Sequence, residues 1–130
     1  MPAHFAAITP VLIVDSVEPT RSFLHDRLGF AVVTDVVHAG ALGFSMLQRD
    51  NVTIMVQSSA SLRADTGDEY VPGPYKAAIY IDVDDVEAIV PEVADADVVL
   101  AMRRTPYGMH EIGVREPGGN IIVFASHLPE

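Results

Sequence analysis

The 130-residue chain is the length of one compact domain, and its 49% apolar and 20% charged residues are a folding rather than a disordered balance. A formal net charge of −10 argues against nucleic acid as a partner, and the absence of cysteine excludes disulfides and thiolate metal sites. No apolar run approaches the roughly 20 residues of a membrane helix and no basic-then-apolar leader opens the chain, so a cytoplasmic protein with no membrane partner is expected.

Phe5 to Val14 is apolar and β-branched enough for a first strand, and Ser16 is placed to cap the helix that follows. Val17, Arg21, Leu24 and Leu28 recur at helical spacing, with Pro19 in the first turn and Gly29 as the stop. Three strands are predicted next, over 31–37, 42–48 and 52–57, divided by Ala39-Gly40 and Asp50-Asn51. A polar stretch rich in Ser, Gly and Pro then reads as a connection or a lid, with the linker at about 59–75. A strand over 76–83 has Ala77, Ile79, Ile81 and Val83 on one face. Asp84 or Asp85 caps a second helix through Val86, Ile89, Val90 and Val93, which Pro91 should kink or shorten. Strands over 97–103, 111–115 and 121–126 complete the chain.

The two halves repeat. Asn51 with its following strand maps onto Asn120 at an offset of 69, and the same offset carries Val14-Asp15-Ser16-Val17-Glu18 onto Val83-Asp84-Asp85-Val86-Glu87. The expected architecture is therefore α+β: two tandem βαβββ modules, about 4–58 and about 76–127, in one domain.

Several stretches carry a family resemblance. They are Pro10-Val11-Leu12-Ile13-Val14-Asp15, Leu28-Gly29-Phe30, Ile81-Asp82-Val83-Asp84-Asp85-Val86, Tyr107-Gly108-Met109-His110-Glu111 and Glu116-Pro117-Gly118-Gly119-Asn120. In this order they resemble the vicinal oxygen chelate superfamily, which includes glyoxalase I, bleomycin-resistance proteins and extradiol dioxygenases. The resemblance implies curved mixed sheets around a cup, helices on the convex side, and a homodimer. It also implies four inward metal-ligand positions, which alignment puts at Thr9, Ile54, Ala78 and Val123. Three of these side chains have no donor atom and a lone threonine hydroxyl is a poor ligand, so neither a metal nor another cofactor is expected.

Strand alternation from those positions places Val11, Val52, Val56, Lys76, Tyr80, Asp82, Ile121 and Ala125 on the same lining. The candidate ligand-binding residues are Thr9, Val11, Ile54, Val56, Ala78, Tyr80, Asp82, His110 and Val123. An aliphatic cup with a few polar anchors suits a small molecule. The first reading is a metal-free binding protein near the bleomycin-resistance branch, sequestering a cationic or aromatic antibiotic; no catalytic residue is assigned. The alternatives are a metal-dependent lyase or dioxygenase with displaced ligands, a metal-free isomerase using His110 or Tyr80, and a regulatory subunit with a filled cup.

Overall fold

The computed structural model describes residues 2–70 and 76–129. Of the anticipated linker, residues 71–75 lie outside the described residues. Strands β1 (Val11–Val14), β2 (Ala31–His38), β3 (Ala41–Arg49) and β4 (Val52–Ser58) form sheet A, in the order β1-β4-β3-β2. Strands β5 (Ala78–Asp82), β6 (Asp97–Arg104), β7 (Met109–Arg115) and β8 (Ile121–His127) form sheet B, in the order β5-β8-β7-β6. In each sheet the first strand pairs parallel with the last and the other neighbours are antiparallel. The fold is α+β, two βαβββ modules in tandem.

Local chemistry explains where elements depart from their predicted bounds. Only Val11–Val14 of the first strand pairs; Phe5 and Ile8 stand in solvent, and Pro10, with no N–H to give a ladder, contributes its carbonyl to the amide of Met55. The first helix begins as α1 (Val17–Ser22) and loosens into a π-turn at Phe23–Arg27, before Gly29 adopts φ +67°. The anticipated connection after β4 contains a helix, α2 (Ser59–Thr66), capped where the Ser58 hydroxyl accepts the Ser61 amide at 3.1 Å. The second helical segment, Val86–Val93, is a 3₁₀ helix with Pro91 inside it. The proline ring denies that segment an ordinary α-helical ladder.

Each sheet has one face under helix and one open face. In sheet A, Leu12, Val14, Leu47, Ile54 and Val56 point to the helix side; in sheet B, Ile112, Val114, Ile122 and Phe124 do. Both sets, with Leu24 and Leu28 of the first helix and Val86, Ile89 and Val93 of the second, form a single apolar core. The modules are joined through this side by polar ties as well. Arg49 bonds to Glu92 at 2.7 Å, Arg27 to Asp95 at 3.1 Å, and the Thr20 hydroxyl donates to Glu116 at 2.6 Å.

The open faces of sheets A and B share no hydrogen bond with each other among the described residues. They are uncovered by the chain's own core.

Glu116 is the best-held of these ties. It is buried with no cationic partner, and it accepts from Thr20, from the Gly118 and Asn120 amides at 2.7 and 2.8 Å, and from the Asn120 side chain at 2.9 Å. A Cβ at Gly118 would come within 2.5 Å of Val14, so the turn can approach β1 only as glycine. Glu116→Ala is expected to cost about 2–4 kcal/mol in urea unfolding, because buried donors lose their acceptor. The face assignment has its own check. Ile54→Ala should cost about 2–5 kcal/mol as a core cavity, whereas Met55→Ala on the open face should cost well below about 1.5 kcal/mol.

Candidate functional site

The register of the two sheets decides which sequence candidates share a surface. On the open face of sheet A, Val11, Met55, Met46 and Thr34 form one cross-strand row, and Ile13, Gln57, Phe44 and Val36 form the next. Neither row contains a charge. On sheet B one row is Tyr80, Val123, Gly113 and Leu100, and its neighbour is Asp82, Ala125, Glu111 and Arg103. Tyr80, Asp82, Ala78 and Val123 thus share the open face of sheet B, Val11 is on that of sheet A, and Thr9 is exposed in the extended segment before β1.

Three candidates stand elsewhere. Ile54 and Val56 are fully buried in the core on the helix side, so they line no open face. The cause is a change of turn. Asp50-Asn51 is a two-residue connection between paired Arg49 and Val52, whereas Glu116–Asn120 spans five residues between paired Arg115 and Ile121. The offset of 69 holds for β1 and β5 but becomes 68 for β4 and β8, aligning Ile54 with Ile122 and Val56 with Phe124. One residue of slip exchanges the faces. The open-face counterpart of Val123 is therefore Met55. His110 is the third: it pairs with Ser126 and Arg104 and points to the helix side, partly buried, while its neighbour Glu111 takes the open face.

With Met55 in place of Ile54, the chelate positions that the resemblance implies are Thr9, Met55, Ala78 and Val123. One hydroxyl and one thioether among them do not fit Zn, Ni or Fe, which take imidazole and carboxylate at such sites. Among the described residues of one chain, no three His, Asp or Glu side chains converge.

The organised chemistry of sheet B centres on a residue absent from the sequence candidates. Glu111 is 1% exposed, although it sits on the open face. Tyr80 donates its hydroxyl to Glu111 Oε2 at 2.6 Å, and Arg103 gives Nε and Nη2 to Oε1 at 2.9 and 2.7 Å. The Tyr107 hydroxyl stands 3.4 Å from the same Oε1. Three exposed side chains therefore roof one carboxylate, and every oxygen is used.

These bonds set the protonation states. The Tyr80 hydrogen bond, then the Arg103 bonds and charge, hold the Glu111 carboxyl below its usual range despite burial. The same Glu111 bond pushes Tyr80 up to about 12. Tyr80 keeps its proton at neutral pH and acts as a fixed donor; it is neither a proton source nor a base there. A cavity of about 430 Å³ borders Tyr80 and Asp82, with Ile8, Pro10, Thr53 and the edge of Ile54 on its other wall.

Because the folded-state pKa of Tyr80 is raised, its bond to Glu111 contributes stability below the unfolded phenol value of about 10 and loses it as pH climbs toward about 12. Glu111 has the opposite sign: its contribution is present above the unfolded carboxyl value and is lost as pH falls through the lowered one. Ultraviolet titration of the four tyrosines should show one phenol ionising near 12. Tyr80→Phe should remove that component and Glu111→Gln should move it down; an unchanged high component in Tyr80→Phe refutes the assignment.

The geometry agrees with comparison to known proteins. Residues 2–124 match the family model described as the glyoxalase/bleomycin resistance protein/dioxygenase superfamily. No curated protein matches the sequence. Among solved structures, TioX from Micromonospora sp. ML1 is similar at 21% identity and a TM-score of 0.76, over 95% of this chain and 100% of that one. A bleomycin-binding protein from Streptomyces verticillus, complexed with copper(II)-bleomycin, is similar at 24% identity and 0.66, over 99% and 100%. Lactoylglutathione lyase from Agrobacterium tumefaciens is similar at 17% and 0.72, over 93% and 92%. At these identities the structural likeness carries the fold alone, and the match of the family model over nearly the whole sequence carries membership. The chain belongs to the glyoxalase/bleomycin resistance protein/dioxygenase superfamily.

Proposed function

We propose that this protein binds an amphipathic small molecule on its open sheet faces, without a metal, and sequesters it rather than converting it. The observation that carries the reading is Glu111: a buried carboxylate with every oxygen bonded, built into a face that the chain leaves uncovered. Burying a charge there is costly, and the cluster that offsets the cost presents two tyrosines and an arginine outward. Sheet A supplies the complementary wall, with Val11, Phe44, Met46 and Met55 and no charge in its central rows. An apolar wall opposite a few fixed polar groups is the usual composition of a ligand pocket.

The cup is assembled in a homodimer, sheet A of one copy facing sheet B of the other. The shared core supports this, since helix faces that meet inside one chain leave the open faces to a second copy. A bleomycin-binding protein of the same fold favours an aromatic antibiotic as the sequestered molecule. The lyase-like alternative lacks fitting ligands at Thr9, Met55, Ala78 and Val123. The isomerase alternative has His110 on the wrong face and a Tyr80 that holds its proton.

Two measurements test the proposal. Light scattering should give twice the 14.0 kDa chain mass. In a thermal-shift series, EDTA and divalent metals should leave the melting temperature unmoved, while an aromatic ligand at 100 times its Kd should stabilise the fold by about 2.7 kcal/mol. Stoichiometric Zn, Ni, Fe or Mn in the purified protein, with a melting temperature that EDTA lowers, would overturn it.

A further inference from the structure

The acidity of the chain as a whole suggests a cationic ligand, but the open faces do not share that acidity. The two central rows of sheet A are uncharged. The charged groups on the open face of sheet B are Asp82, Glu111, Arg103, Arg115 and Asp97, and four of them are paired: Arg103 with Glu111, and Arg115 with Asp97 at 2.7 Å. The acids behind the net charge of −10 lie largely on helices and loops, such as Glu18, Asp26, Asp65, Asp84, Asp85 and Glu87.

Arg103 is the cation best placed to meet a ligand. It gives Nε and one Nη2 proton to Glu111, the Tyr107 hydroxyl stands against the same guanidinium, and among the described residues no hydrogen bond engages Nη1. A guanidinium held along one edge offers the other as a planar two-pronged donor. Glu111 is nearly inaccessible, so it orients this fork without competing for a ligand. Beside it Gly113 is buried, and the side chains of Leu100 and Val123 close over it: an added Cβ would come within 3.1 Å of Leu100 and 3.4 Å of Val123. The rings of Tyr80 and Tyr107, 51% and 65% exposed, flank Arg103 through their hydroxyl contacts with the same Glu111.

We propose that the open face of sheet B holds a subsite for a planar aromatic carboxylate, its carboxylate on the outward edge of Arg103 and its ring against the exposed rings of Tyr80 and Tyr107. The inference rests on the small-molecule reading above and deepens it. A monoanion is favoured over a phosphate dianion. One guanidinium, already offset by Glu111 and with Asp82 in the same row, can compensate a single charge.

The test uses three isosteric probes, 2-naphthoate, 2-naphthalenemethanol and 2-naphthylmethylammonium, titrated calorimetrically into the intact protein. Naphthoate should bind at least about tenfold more tightly than the ammonium, the size of effect one charge-assisted pair supplies. Arg103→Gln should abolish that preference while leaving naphthalenemethanol within about twofold. Arg103→Lys, which keeps the charge but not the fork, should lose most of it. Asp82→Asn, an exposed change that leaves the cluster intact, should tighten naphthoate alone. Equal affinity for all three, tighter binding of the ammonium, or an Arg103→Gln variant that still prefers naphthoate overturns the subsite and leaves the binding function standing. If none of the three binds, subsite and binding function fall together.

Discussion

The structure depends on burying two sheet faces in one place. Neither four-stranded sheet has enough apolar surface to stand alone, and each carries only a short helical segment to cover it. Combining the helix faces of both modules gives one core, with Leu12, Ile54 and Val56 on one side and Val114, Ile122 and Phe124 on the other. That solution has a consequence for function. A sheet has two faces, so burying the helix faces together leaves the other faces outside the core, with α2 touching that of sheet A at Gln57. Side-chain parity thereby separates the two faces: even-numbered residues of β4 and β8 point to the helix side, and odd-numbered ones to the open faces, where Ala125 is nonetheless buried.

Glu111 and Glu116 show two ways of keeping a carboxylate out of water. Glu116 is satisfied by amides and hydroxyls of its own turn and of α1, and none of those groups is a cation. It fixes one module to the other. Glu111 is satisfied by Tyr80, Arg103 and Tyr107, all of them exposed. Removing Glu116 loosens the frame, whereas removing Glu111 chiefly frees three side chains on an open surface. The second arrangement is the one expected where outward groups must be held in fixed positions.

Much of the fold was legible because the repeat and the apolar periodicities are local signals. The succession of elements in the second half follows from the repeat, and the face assignment of β5 follows from Ala77, Ile79, Ile81 and Val83 alternating with Ala78, Tyr80 and Asp82. The facing of β4 was not legible. The two asparagines at Asn51 and Asn120 look equivalent but close turns of different length, and sequence similarity at a turn does not report the parity of the strands it joins. The helix Ser59–Thr66 was hidden for a related reason: its polar residues resemble a loop, and it gains order from the Ser58 cap and the burial of Leu62. Glu111 was within reach. Alternation had already separated it from His110, and Tyr80 was already assigned inward; what could not be read was the pairing of β6 with β7, which brings Arg103 opposite.

That pairing also separates the charge of the whole chain from the charge of the open faces. Net charge sums over the surface, and long-range attraction acts on the approach of a ligand more than on its final contacts. Within the site the counting is local. Arg103 and Glu111 cancel at contact distance, and the rows of sheet A that would face them are uncharged. What remains is geometry: a planar donor edge and two exposed rings held on one buried carboxylate. A protein rich in acids can in this way present outward the cationic member of an ion pair, because the carboxylate that orients it is buried.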